Sequence, residues 1–213
     1  PEKSFEPIVY THVVPLVFAI NPQIPAKTLP EFIAWMKANP ENAKIATSGR
    51  GSAQEMAAEM FKMSTKVDML FVPYKGSSAA HPDLLAGRTA LYIDTISAIQ
   101  SHVKAGTVRG IAVSTIHRTP ALPNVPTAKE SGYPGLVVAP WFGLGAPAGT
   151  PAAVVQQINA EVNKILQNPE VLKKAEDSGT SVEAFTPAQL GEFTRKELDY
   201  WGGVIKSAKI TAD

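Results

Sequence analysis

Lys44-Ile45-Ala46-Thr47-Ser48-Gly49-Arg50-Gly51-Ser52 runs from a short apolar strand through a turn of glycines and hydroxyls into a helix. The same pattern returns at Leu70-Phe71-Val72-Pro73-Tyr74-Lys75-Gly76-Ser77-Ser78 and at Leu91-Tyr92-Ile93-Asp94-Thr95-Ile96-Ser97. Each instance places backbone N–H groups and the positive end of a helix dipole at the carboxyl edge of a strand. In an open α/β sheet that edge is where small ligands bind. Three such mouths side by side predict a pocket for an anion, and Arg50 and Lys75 add positive charge at the first two.

Outward from these turns, strand and helix patterns alternate from Val14 to Thr115. Val14 to Ile20 reads as a strand. Leu29 to Asn39 reads as a helix capped by Thr28, with Pro30 in its first turn and Leu29, Phe32, Ile33 and Met36 on one face. Helices are predicted over Ser52 to Met63, Ala79 to Ala86 and Ser97 to Lys104, with Gly87 and Gly106 beyond the last two. Met56, Met60 and Met63 read as core filling. Val108 to Ser114 is apolar throughout and predicts a strand buried on both faces. Strands alternating with helices of about three turns imply crossovers and a mostly parallel sheet.

Thr119 to Pro140 then holds five prolines and reads as an ordered connector. Trp141 to Leu144 and Val182 to Phe185 read as strands. Trp141 and Phe142 fit core or hinge positions. A helix is expected from Pro151 to Gln167, capped by Thr150, with Val154, Val155, Ile158, Val162 and Ile165 inward. A further helix starts at Asn168-Pro169-Glu170, and Thr186-Pro187 opens the last. Residues 17–139 thus form a self-contained α/β lobe. The flanks, 1–16 and 140–213, have too few strands for a complete sheet. The chain opens on Pro1 without a signal-like segment, which predicts a leading stretch that was removed or lies outside this sequence.

Composition bounds the function. The 213 residues are 45% hydrophobic and 18% charged, with a net charge of +1. That is too apolar for disorder, and the scattered charges form no basic stripe for a nucleic-acid partner. No apolar run reaches transmembrane-helix length. Without cysteine the chain has no disulfide, thiolate nucleophile or Cys-based zinc site. His12, His81, His102 and His117 are widely separated and lack carboxylates at metal-ligand spacing, so they read as surface or satisfied histidines. No metal, cofactor or catalytic group is predicted. The first turn is not a dinucleotide fingerprint, because Gln54 stands where the third glycine belongs.

Several of these segments carry a resemblance. Val14-Pro15-Leu16-Val17, Asn21-Pro22, Ala46 to Ser52, Val72-Pro73-Tyr74-Lys75-Gly76 and Lys104-Ala105-Gly106-Thr107-Val108-Arg109 resemble the Bug/TctC family. So do Leu122-Pro123-Asn124-Val125-Pro126-Thr127, Trp141-Phe142-Gly143-Leu144 and Ala146-Pro147-Ala148-Gly149-Thr150-Pro151. The resemblance runs from about Phe5 to the C-terminus. It implies a periplasmic solute-binding protein of a tripartite tricarboxylate transporter, with a two-lobed, Venus-flytrap fold of the type II kind. A small carboxylate (a di- or tricarboxylate, an acidic amino acid or an aromatic acid) would be closed between the lobes and passed to membrane permease subunits. Backbone N–H groups, hydroxyls and ordered waters would hold it. The resemblance also implies that a stretch normally preceding Pro1, with part of the first lobe's ligand site, has no counterpart here, leaving that lobe incomplete.

The ligand-binding candidates are Thr47, Ser48, Gly49, Gly51, Ser52, Tyr74, Lys75, Gly76, Ser77, Asp94 and Thr95. Gly49 and Gly51 also fit a plain tight turn, since glycine takes positive φ at no steric cost. Tyr74 fits packing under its loop as well as the cleft. Lys75 fits direct contact or the steering of anions. Asp94 should repel a carboxylate, so it either caps a helix, takes an amino or hydroxyl group of the ligand, or holds a water. Thr95 is the better direct contact. Two other readings stand beside the binding protein: an α/β enzyme acting on a small anion, and a sensory ligand-binding module. The enzyme lacks any nucleophile–base set in the sequence.

Overall fold

The computed structural model describes residues 4–208 and Ile210. Their order is β1 (Phe5–Val13), β2 (Leu16–Ile20), α1 (Leu29–Ala38), β3 (Lys44–Thr47), α2 (Ala53–Thr65), β4 (Leu70–Pro73), α3 (Ser77–Leu85), β5 (Leu91–Thr95), α4 (Ile96–Lys104), β6 (Arg109–Val113), β7 (Trp141–Pro147), α5 (Ala152–Leu166), α6 (Pro169–Ser178) and α7 (Pro187–Ala208). Contacts divide them into two units, Val14–Pro140 and the residues flanking it on both sides.

In the Val14–Pro140 unit the strands lie in the order β4-β3-β5-β2-β6. β3 is parallel to both β4 and β5, whereas β2 runs antiparallel to β5 and β6. The sheet is therefore mixed: four strands point one way, and β2 runs against them at a central position. All five β2 residues are buried, so its apolar run suits either direction. Side chains of β2 divide between the faces by simple alternation. Val17 and Ala19 join Ala46, Tyr92, Ala80 and Leu84 of α3, and Ile96 and Ile99 of α4 in one cluster. Phe18 meets Phe61 of α2, with ring centroids 5.9 Å apart. Fully burying each of the Val, Leu, Ile and Phe side chains among these contributes roughly 1.5–3 kcal/mol.

The helix starts follow local chemistry. Thr28 Oγ1 accepts from Glu31 N and caps α1, and Ser52 Oγ accepts from Glu55 N and caps α2. β6 ends the ladder, yet Ile111, Ala112 and Val113 are buried because the proline-rich connector covers that edge. Val113 N donates to Pro126 O, Ala128 N to Val113 O and Val138 N to Ser114 O. Met56 and Met60 are buried as expected, but Met63 is 40% exposed.

The flanking unit is built on the antiparallel ribbon of β1 and β7, against which α5 and α7 pack. Asn159 on α5 is buried and donates to Ile8 O and Phe185 O. Three expectations fail here. Val182 to Phe185 forms no strand, and only Ser181 bridges to Val13. Of the α5 stripe Val155 is buried, while Val154, Ile158 and Ile165 are 42%, 36% and 57% exposed. A two-stranded ribbon is too narrow to cover the whole stripe. Thr150 is not the cap of α5; Pro151 holds that position, and Thr150 Oγ1 donates to Pro147 O. Trp141 stacks on Tyr10 and donates Nε1–H to Glu197, while Phe142 is exposed and stacks on His12.

Candidate functional site

The three turns named above leave β4, β3 and β5, which are neighbours in the sheet and parallel. From β3 the chain passes through α2 to β4 on one side, and from β5 through α4 to β6 on the other. Loops that diverge from adjacent strands leave a crevice between their carboxyl ends. Ser48 follows β3, and Asp94 and Thr95 end β5, so they stand on the two walls of that crevice.

A continuous set of hydrogen bonds joins the turns. Ser48 Oγ lies 2.5 Å from the Tyr92 hydroxyl, which donates to Ser77 Oγ at 3.1 Å. Ser77 Oγ in turn donates to Asp94 Oδ1 at 2.7 Å. Thr95 N donates to the same oxygen at 2.8 Å, with Gln54 Nε2 at 3.5 Å. His81 Nε2 stands 2.8 Å from Asp94 Oδ2, and an anionic acceptor makes that nitrogen the protonated one. Asp94 and Tyr92 are both fully buried, whereas Ser48, Ser77 and Thr95 are half-buried. Burial, and next the Asp94 charge, push the Tyr92 phenol above its ordinary pKa, so it remains a neutral donor.

The helix starts differ in how they are terminated. At α2, Ser52 caps the helix and the Glu55 carboxylate accepts from Gly51 N at 2.6 Å, which puts an internal anion at the first mouth. Gly76 at the start of α3 and Thr95 at the start of α4 provide no side-chain cap. The first-turn N–H groups of these two helices therefore lack the side-chain acceptor that α2 has. Pro15 O takes the Ile96 N–H of α4.

The candidates thus sort by position. Ser48, Ser77, Asp94 and Thr95 belong to one hydrogen-bonded cluster, and Gly76 opens the adjoining helix with φ at +90°. Tyr74 N donates to Thr47 O, and a side chain at Gly49 would lie 3.7 Å from Tyr74 O, so the first two turns touch. Gly51 and Ser52 serve the α2 cap. The Tyr74 hydroxyl turns away to Asp83, at 2.5 Å, and its pKa is pushed up to about 12 by burial and then by that bond. Thr47 is buried, and its hydroxyl has no partner among the described residues. Lys75 is exposed. Asp94 does not cap α4; it lies beneath the mouth, with its oxygens facing protein donors.

Three members of the cluster were not among the sequence candidates: Tyr92, His81 and Gln54. Tyr92 and Asp94 share one face of β5 by alternation, a signal that was available but is common to every strand. An apolar groove of about 270 Å³ lies elsewhere, between β7 and α7, lined by Phe5, Trp141, Leu144, Leu190 and Arg195 among others. Among the described residues no three His, Cys, Asp or Glu side chains could hold a metal ion, and no helix is long and apolar enough to cross a membrane.

Comparison with known proteins places these features in context. A family model described as the tripartite tricarboxylate transporter family receptor matches residues 1–210. Protein BugT of Bordetella pertussis is 34% identical over 209 residues, covering 97% of this chain and 64% of BugT. The solved R. palustris Rpa4515 with adipate superposes with a TM-score of 0.88 at 32% identity, over 99% of this chain and 71% of that one. MatC from Rhodopseudomonas palustris with bound malate gives a TM-score of 0.82 at 30% identity, over 94% and 69%. The chain thus spans slightly less than two thirds of the curated relative's length.

Proposed function

Because the chain belongs to the tripartite tricarboxylate transporter receptor family, we propose that it is the binding part of a periplasmic receptor for a small carboxylate. The receptor captures its ligand without chemical change and delivers it to the permease subunits of a tripartite transporter. The unit Val14–Pro140 is assigned as one complete lobe. The ribbon unit is assigned to the other lobe.

One observation carries this reading. The starts of α3 and α4 lack side-chain caps and open at β4 and β5, the parallel strands on either side of β3, where oriented N–H groups and helix dipoles favour a negative charge. Thr47, Ser48, Gly49, Gly76, Ser77 and Thr95 line or support that mouth. Gly51, Ser52, Tyr74 and Asp94 shape it from behind, and Lys75 adds attraction at longer range. Adipate and malate, bound to the two relatives, are both dicarboxylates, which supports a carboxylate guest.

Calorimetric titration of the full-length gene product with a panel of carboxylates tests the reading. One site is expected, with affinity that survives metal chelation and weakens on Thr95→Ala. Conversion of any bound acid to product in the same vessel would replace the receptor reading with an enzyme.

A further inference from the structure

Counting hydroxyl hydrogens along the cluster leads beyond a plain anion pocket. Asp94 accepts at both oxygens. Ser77 has a single hydroxyl hydrogen and gives it to Asp94. Tyr92 also has one and gives it to Ser77. The Tyr92 oxygen can then only accept from Ser48, 2.5 Å away. The opposite sense would set the Tyr92 and Ser77 oxygens against each other at 3.1 Å with no hydrogen between them, at the loss of one hydrogen bond. All three hydroxyl hydrogens therefore point inward toward the buried carboxylate. The outer end of the row, half-buried Ser48, keeps its lone pairs for the crevice.

A ligand carboxylate oxygen brought to Ser48 would meet those lone pairs and be repelled. A ligand hydroxyl would be accepted. The carboxylate itself is left to the N–H groups at the starts of α3 and α4. We infer that Ser48 is a hydrogen-bond-accepting subsite, oriented by Tyr92, Ser77 and Asp94, which selects a hydroxy-substituted carboxylate over its unsubstituted parent. Tyr92 acts here as a positioning residue. The inference rests on the carboxylate-receptor reading and names the class of guest within it.

The test is calorimetric titration of the full-length protein with acids that differ only by one hydroxyl: succinate and malate, propionate and lactate, phenylacetate and mandelate. In each pair that binds, the hydroxy acid is expected to bind roughly 3- to 10-fold tighter, the worth of one hydrogen bond. Tyr92→Phe removes the acceptor that holds the Ser48 hydrogen and frees Ser48 to donate, so the ratio should collapse toward one. Ser48→Ala, at a half-buried position, should do the same and serves if Tyr92→Phe does not fold. Loss of mere packing would weaken both acids of a pair alike and leave their ratio unchanged. Equal or tighter binding of the parent acids overturns the inference, as does a ratio that persists in the variants. If no acid of any pair binds, the receptor reading itself falls and takes this inference with it.

Discussion

His81 Nε2 donates to Asp94 Oδ2 at 2.8 Å, and the carboxylate it meets is wholly shielded from water while the His81 side chain is 14% exposed. Around that carboxylate α3 is tied to β5 twice, through His81 and Ser77. Asp94→Asn keeps the shape but turns an amide nitrogen toward a donor. Its expected cost is about 2–3 kcal/mol of stability, since a buried donor then faces no acceptor. Urea denaturation with an unchanged slope would show it; a midpoint equal to the parent's would mean that the cluster does not hold the mouth together.

Thr47 offers the reverse case. Its hydroxyl is buried with no partner among the described residues. Thr47→Val removes that group at nearly constant shape and is expected to raise stability by about 1 kcal/mol. A loss of that size in the same denaturation experiment would show that water reaches the hydroxyl in solution.

Gly76 has φ +90° and ψ 173°, with nothing within 4 Å of where a Cβ would stand. Space is free, so any penalty for Gly76→Ala is backbone strain, of order 1–3 kcal/mol. Relief of the strain would shift the first turn of α3, so carboxylate affinity should fall together with the melting temperature. Parent-like behaviour in both would remove α3 from the site.

His12 predicts a pH effect. Burial holds its ring below the ordinary value of 6.5. Near that value the unfolded chain binds the proton more readily, so this group's contribution is complete above about pH 6.5 and declines as pH falls through the lower folded value. His12→Gln, which can still pack on Phe142, should lose less stability than the parent between pH 7.5 and pH 5. Parallel curves for the two proteins would count against burial as the cause.

Much of the architecture was legible in short stretches. Thr28 was readable as a cap because a hydroxyl three residues before a glutamate makes a local bond with its backbone, whereas Ser52, with the same spacing to Glu55, read as the first helical residue and proved to be the cap. The three strand–turn–helix segments were readable for the same reason, their glycines and hydroxyls marking where each strand stops. The Val154–Ile158–Ile165 stripe misled, since an apolar face announces that something should cover it but not whether the partner is wide enough. Val182 to Phe185 misled because a β-branched and aromatic run has strand character whether or not a neighbour pairs with it.

Tyr92 and His81 were illegible as members of the cluster. Tyr92 lies two residues from Asp94, a spacing common to every strand, but 44 positions from Ser48, and His81 sits 13 from Asp94, so no short window of sequence joins the whole cluster. Nor could the sense of the hydroxyl row be read, because it depends on which oxygen ends at an ionised group.

Residue chemistry acting over a few neighbours was enough to establish the alternation of elements between Val14 and Thr115, the Thr28 cap and the three hydroxyl-rich turns. Packing between distant segments settled the rest: the reversed direction of β2, the placing of β3 beside β5, and the burial of Asp94 beneath Ser48. The division is physical. Caps and turns gain their energy from bonds within one turn of chain, whereas strand order and the direction of a hydrogen-bonded row depend on groups that meet only after the sheet has formed.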